Sequence, residues 1–235
     1  MKKVEIISVG SELVCGQIRD LNAPFAASKL TELGFNVINQ SIVGDNPQDL
    51  RLALQTASER ANLVIITGGL GPTMDDITRE TVADFCDVKL ITDDSSVNHI
   101  ESLIKSAHSH KYINNLKQAM IPESGIVIHN STGTAQGFLV STSQSSIICL
   151  PGVPAEMTLM FEDWVIPYIL RESDNRKERC TRVINTFGMS ESILDEKTKE
   201  IIQPDEHLSY STLVNDGIVS IRNTVSDVEE KKAIS

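Results

Sequence analysis

Cations are scarce in this sequence. Lys and Arg number 21 against 32 Asp and Glu, a formal net charge of −11, and no basic run or stripe gathers them. That disfavours nucleic-acid binding by phosphate neutralisation, and attachment to anionic lipid. An anionic ligand would need local help from backbone amides, a few cations or a metal. Cysteines are few and far apart. Cys15, Cys86, Cys149 and Cys180 form no CxxC pair and have no histidine at zinc-ligand spacing, so they read as reduced core or near-core thiols. The histidines do not cluster as ligands, and His108 and His110 sit in a polar AHSHK stretch that reads as an exposed loop. No apolar run approaches the length of a membrane span. Met1-Lys2-Lys3 leads into VEIISVG, too short and too soon interrupted for a signal peptide. A cytoplasmic protein is expected, with no nucleic-acid or membrane partner. Internal repeats, low-complexity segments and a Ser-His-Asp or Cys-His arrangement are also lacking.

What is present suits one large domain with a small appendage: 235 residues, 40% of them hydrophobic. Strand-like and helix-like stretches alternate. VEIISVG (4–10), FNVINQSIVG (35–44) and LVIIT (63–67) read as strands, the last nearly continuously apolar, as a strand buried on both faces should be. GSELVCGQIRDLN (10–22) reads as a loop, with Asn22 capping a helix that carries Ala26, Leu30 and Leu33 and stops at Gly34. Asn46-Pro47 starts a helix with Leu50, Ala53, Leu54, Ala57 and Ala61 on one face. Helices follow near 77–86 and 96–107, then the short strands IVIHN, GFLVST and SIICL. The helix in PGVPAEMTLMFEDWVIPYIL puts Met157, Phe161, Trp164 and Val165 on one face and is interrupted by Pro167. The order predicts an α/β fold with a mostly parallel sheet between helical layers over 1–171. A polar linker (172–179) leads to a β-α-β-β module (180–235), with a hairpin around Asn215-Asp216-Gly217.

In such sheets ligands sit beyond the carboxyl ends of the strands. TGGLGPTMDD (67–76) follows LVIIT at that edge. Thr67, Gly68, Gly69 and Gly71 can offer backbone N–H groups as an anion nest, helped by the start of the next helix. The same glycines would also suit a tight turn with no ligand. The stretch is neither a Walker loop nor GxGxxG. Asp75 and Asp76 either cap the following helix or share a cation. Nest and acid pair together suggest phosphate bridged by metal. Glu12, Asp20, Asn22, Asp45 and Asn46 fall near the same edge. Lys117, in NNLKQAM, is the candidate cation. NSTGTAQG (130–137, with Thr134) and LPGVPAEM (150–157, with Gly152) are further loops that would let a ligand approach backbone.

The ordered set GSELVCGQIRDLN, VGDNPQDL, TGGLGPTMDDITRE, NNLKQA, NSTGTAQGF and LPGVPAEM resembles the N-terminal region of the CinA family of competence/damage-inducible proteins, itself related to the molybdopterin-binding fold. Residues 180–225, with FGMSES, are similar to that family's KH-like module but lack a basic GxxG clamp, so RNA binding is not inferred. The resemblance implies metal-dependent hydrolysis of the pyrophosphate of ADP-ribose, or a related nucleotide, to AMP and ribose 5-phosphate. Catalysis would fall to Asp45, Asp76 and Lys117. Glu12, Asn22, Thr67, Gly68, Gly69, Gly71, Thr134 and Gly152 would bind the ligand. Asp45, Asp75 and Asp76 would hold a divalent ion (cobalt, magnesium or manganese), with potassium a further candidate. A homodimer is implied. The family's nicotinamide-nucleotide deamidase domain is not expected in a chain that stops at Ser235. The alternatives are a molybdopterin or nucleotide binder without hydrolysis, and a dimeric interaction module whose chemistry has lapsed. Ser11, Cys15 and Gln136 depart from the family's common residues without removing a carboxylate or a loop glycine.

Overall fold

The computed structural model describes residues 3–104, 114–172, 178–199, 201, 208–215 and 217–228. His108, His110, most of the expected linker, Asp216 and the closing EEKK run lie outside them. The chain divides into two compact units, Met1–Lys29 with Phe35–Asp174, and Leu30–Gly34 with Asn175–Ser235.

The first unit is built on a six-stranded sheet. Its strands are β1 (Lys3–Val9), β2 (Asn36–Val43), β3 (Leu63–Thr67), β6 (Ile126–Ile128), β7 (Gly137–Ser141) and β8 (Ser146–Leu150), in the order β2-β1-β3-β8-β7-β6. The first four of that order run parallel, β7 runs antiparallel to β8, and edge strand β6 pairs antiparallel with β7 and so regains the common direction. The period-2 alternation of strands sorts the core. Ile7, Val9, Val64, Ile66, Phe138 and Cys149 form one cluster with Leu50, Leu54 and Ala57 of α3 (Pro47–Arg60) and Val82 of α4 (Thr78–Phe85). Ile6, Ile65 and Ile148 point the other way and are equally buried. Each strand at the centre is thus apolar on both faces. Glu5 and Ser8 are the buried polar residues of β1; Glu5, 2% exposed, is held by Arg60 Nε at 2.7 Å and Asn39 Nδ2 at 2.8 Å.

Several local expectations are corrected. Ser11–Val14 forms a single helical turn, α1, inside the segment read as loop. The helix α2 (Asn22–Glu32) begins at Asn22 and is capped by Asp20, whose Oδ1 accepts from the Asn22 and Ala23 amides at 2.9 and 3.2 Å. Asn46 does cap α3, accepting from the Gln48 and Asp49 amides. A two-stranded ribbon, β4 (Leu90–Thr92) with β5 (Met120–Pro122), has no counterpart in the sequence reading. It flanks α5 (Asp94–Leu103). The last helix of the unit does not break at Pro167. It runs as α6 (Pro154–Met160), widens to a π turn over Phe161–Val165, and continues as α7 (Ile166–Glu172). Proline removes one N–H from the ladder, and a π turn just before it absorbs the fault. Trp164 leaves the buried face and stacks on Tyr168. Cys15 is exposed, against the near-core reading, whereas Cys86 is half-buried and Cys149 buried. Burial pushes the Cys86 thiol up to about 11.

The second unit holds an antiparallel sheet in the order β10-β11-β9, formed by β9 (Glu178–Phe187), β10 (Leu208–Asn215) and β11 (Ile218–Val228). Leu194 of α8 (Glu191–Lys199) packs with Val219, Ile221, Met189 and Tyr210.

Candidate functional site

β1 lies between β2 and β3, so successive crossovers leave in opposite directions and open a crevice at the strand ends. A cavity of about 400 Å³ occupies that crevice. Loops after β1 (Gly10, Glu12), β2 (Asp45), β3 (Gly68 to Asp76) and β8 (Pro151 to Val153) line it, with Gln118, Thr134, Ala135 and Glu156.

The β3 loop is oriented by its carbonyls. Thr78 Oγ1 donates to the Gly68 carbonyl at 2.8 Å, and the Thr78 amide donates to the Gly69 carbonyl at 3.0 Å. Arg79 Nη2 donates to the Leu70 carbonyl at 3.0 Å. In a trans peptide the following N–H points opposite to the carbonyl. Three consecutive N–H groups, of Gly69, Leu70 and Gly71, therefore turn away from α4 toward the cavity. Asp76 Oδ1 takes the third at 2.8 Å. The amides of Gly69 and Leu70 find no acceptor among the described residues. Two adjacent free amides on a concave turn make an anion nest. Only glycine permits the turn: Gly68 and Gly69 have φ of 98° and 68°. A Cβ at Gly68 would strike the Val9 carbonyl, and one at Gly69 the Thr78 hydroxyl.

The acid pair splits into two roles. Asp76 braces the loop, with Oδ2 accepting from the Thr73 amide at 2.9 Å and from the Thr73 hydroxyl. It does not cap α4, whose N-cap is Ile77 without a side-chain bond. Asp75 is exposed. Its carboxyl is held below the usual aspartate range, first by Thr73 and then by its own amide. Asp45 exchanges bonds with Ser11, whose amide reaches Oδ2 at 2.9 Å and whose hydroxyl accepts from the Asp45 amide at 3.1 Å.

Lys117 does not enter the cavity. Its Nζ donates to the carbonyls of Asp76 at 2.7 Å and Thr73 at 3.2 Å, and pairs with Glu80 at 3.3 Å. It faces a second cavity, of about 440 Å³, on the outer side of the loop beside Arg51 and Met74. Thr67 and Asn22 also stand behind the lining. Thr67 Oγ1 faces Ser8 at 3.5 Å, and Asn22 Nδ2 donates to the Gly152 carbonyl at 2.8 Å. Gly152 approaches Gly68 so closely that a Cβ there would lie 3.3 Å from its Cα. The structure thus brings Glu12, Asp45, Gly68, Gly69, Gly71, Asp75, Asp76, Thr134 and Gly152 to one cavity.

The expected metal set is not assembled. Among the described residues no three His, Cys, Asp or Glu side chains gather closely enough to hold an ion. Among the described residues the lining carries five carboxylates, Glu12, Asp45, Asp75, Asp76 and Glu156, and no cationic side chain. Glu156, Gln118 and Arg79 were not singled out from sequence. Glu156 follows a proline in the first turn of α6 and accepts from Asn130 Nδ2 at 2.6 Å. Arg79 and Gln118 sit in quoted motifs, but nothing in their spacing marks them as buried.

A mostly parallel sheet with a glycine-rich turn at its switch point makes the first unit a doubly wound α/β domain, and comparison narrows the class. Residues 5–171 match the family described as a probable molybdopterin binding domain. CinA of Thermoplasma acidophilum, a structure of unknown function, is 33% identical, with 71% of this chain and 97% of that one covered at a TM-score of 0.66. The molybdopterin biosynthesis enzyme MoaB of Thermus thermophilus is 18% identical and shares the fold, with 73% and 94% covered at a TM-score of 0.51. A CinA-like protein of Kosmotoga olearia is 40% identical over 225 residues, 94% of this chain and 53% of that protein. The chain spans about half the length of the curated relatives it matches. It belongs to the CinA family, with its first unit a member of the molybdopterin-binding-like domain family.

Proposed function

We propose that this protein binds a phosphate-bearing small molecule, a pterin phosphate or a nucleotide, with the phosphate on the Gly69 and Leu70 amides. The carrying observation is that pair of free, cavity-facing N–H groups, fixed by three inward-turned carbonyls. The domain's description as a probable molybdopterin binding domain supports the pterin phosphate. Thr134 and Gln118, which also line the cavity, are candidates to meet the rest of such a ligand. Titration of purified protein with a pterin phosphate and with AMP tests the reading. Saturable binding lost in Gly69→Ala supports it; no binding of either ligand by folded protein refutes it.

A second reading, hydrolysis of a pyrophosphate such as that of ADP-ribose, is favoured by the five carboxylates around the nest. They oppose an anion unless a cation accompanies it. Magnesium commonly binds through one or two carboxylates plus substrate phosphates, without a preformed cage. AMP release from ADP-ribose, with and without cobalt, magnesium or manganese, decides this. Metal-dependent release abolished in Asp76→Asn supports hydrolysis, and no release with any metal leaves binding alone.

A further inference from the structure

The cavity poses a charge problem. Among the described residues it is lined by carboxylates without a lysine, arginine or histidine, yet its back wall is an anion nest. The expected cation, Lys117, is engaged on the outer side of the loop. One guanidinium remains close. Arg79, the second residue of α4, is fully buried. Its Nη2 reaches the Leu70 carbonyl, while Nε and Nη1 have no hydrogen-bond partner. Among the described residues it makes no ion pair with a carboxylate. Gln118 Nε2 approaches the same carbonyl at 3.5 Å, and Gln118 Oε1 is buried and also without a partner.

A buried charge without a counter-ion costs several kcal/mol in general, and replacing it with apolar groups is often neutral or stabilising. Stability therefore does not explain Arg79. We infer that Arg79 is the fixed positive charge behind the nest, a positioning residue that favours a phosphate group on the Gly69 and Leu70 amides without touching it. It acts in two ways. Its hydrogen bond turns the Leu70 carbonyl inward and fixes the last peptide of the nest. Its charge, one residue's thickness behind the lining and screened by protein rather than water, offsets part of the carboxylates' field. Burial lowers its basicity, with Glu80, Cys149 and Asp76 opposing that effect, and a guanidinium stays protonated through such shifts. Lysine at the surface could be screened or swing away, whereas Arg79 can do neither.

This inference rests on the proposed phosphate site, and its test separates the two. Inorganic pyrophosphate is titrated calorimetrically into the full chain, with and without magnesium, for wild type, Arg79→Met, Arg79→Gln and Arg79→Lys, each checked by thermal melting. Met matches the stem without charge, and Gln can keep a donor near the Leu70 carbonyl without charge. The expected result is at least a tenfold loss of pyrophosphate affinity in both neutral variants, melting temperatures at or above wild type, and recovery in Arg79→Lys. Wild-type affinity in either neutral variant overturns the assignment and leaves the phosphate site standing. Failure of both neutral variants to fold assigns the charge to the fold and overturns it as well. No pyrophosphate binding by wild type removes the phosphate site and this inference with it.

Discussion

Two glycine-containing turns border the same cavity and are closed in opposite senses. In the turn after β3, carbonyls point into the protein and amides point out, leaving Gly69 and Leu70 free. In the turn over 130–136, the amides point in. Asn130 Oδ1 accepts from the Thr132 and Gly133 amides at 3.1 and 2.9 Å, and its own amide donates to Gln136 Oε1 at 2.8 Å. The Gly133 carbonyl points outward to His99 Nε2 at 3.0 Å. Similar composition thus yields a donor surface in one case and a self-satisfied turn in the other. The difference lies in what stands behind each. Thr78 and Arg79 at the start of α4 supply donors that draw the carbonyls in, whereas Asn130 supplies an acceptor that draws the amides in.

The comparison can be broken most forcefully at Gly69. Gly69→Ala requires a non-glycine residue at φ 68° and drives Cβ into the Thr78 hydroxyl. Strain and overpacking together should cost on the order of 3 kcal/mol, read by urea unfolding, with ligand binding abolished. Asn130→Ala comes next. It frees buried donors and should cost about 2 kcal/mol, while pyrophosphate affinity stays within about twofold if the 130–136 turn is structural. Asp76→Asn leaves one of two loop amides poorly accepted, for about 1 kcal/mol, and should loosen ligand binding more than it lowers the melting temperature. Lys117→Met removes the outer brace. A role in direct phosphate contact would cost tenfold or more in affinity, whereas the observed placement predicts a change of about threefold or less, with a stability loss near 1 kcal/mol.

The smallest effect lies away from both turns. Hydrogen bonds from Arg60 and Asn39 hold Glu5 below the usual glutamate range even though burial, the largest single influence, pushes it up. Its folded pKa is therefore lower than its unfolded one. The stability it contributes is fully present above the unfolded value and is lost as pH falls through the folded value. Glu5→Gln should flatten the acid limb of a melting-temperature profile below about pH 4.5 and leave ligand binding unchanged.

Much of this was legible in sequence where a pattern maps onto one structure. The nearly continuous apolar run of LVIIT read as a buried strand and Asn46-Pro47 as a helix start, and both are found. The β4–β5 ribbon was illegible because three-residue strands carry no period. The π turn was illegible because proline announces a fault but not how it is absorbed. Cys15 was misjudged because its apolar neighbours, Val14 and Leu13, lie on an exposed turn rather than a core one. Within the site, the loop residues were visible from glycine and carboxylate chemistry. The side of the loop taken by Lys117 was not, because it is set by a bond to Asp76 across a sequence separation of 41. The burial of Arg79 likewise depends on how the start of α4 meets the turn before it. No local spacing encodes either.

The central claim is that the β3 turn, and not its neighbour, presents its amides to an anion. Amide chemical shifts of isotope-labelled protein during titration with inorganic pyrophosphate test it most directly. The account predicts large, saturable shifts at Gly69 and Leu70 and little change at Thr132 and Gly133. Shifts centred on Thr132 and Gly133, with Gly69 and Leu70 unmoved, would contradict it.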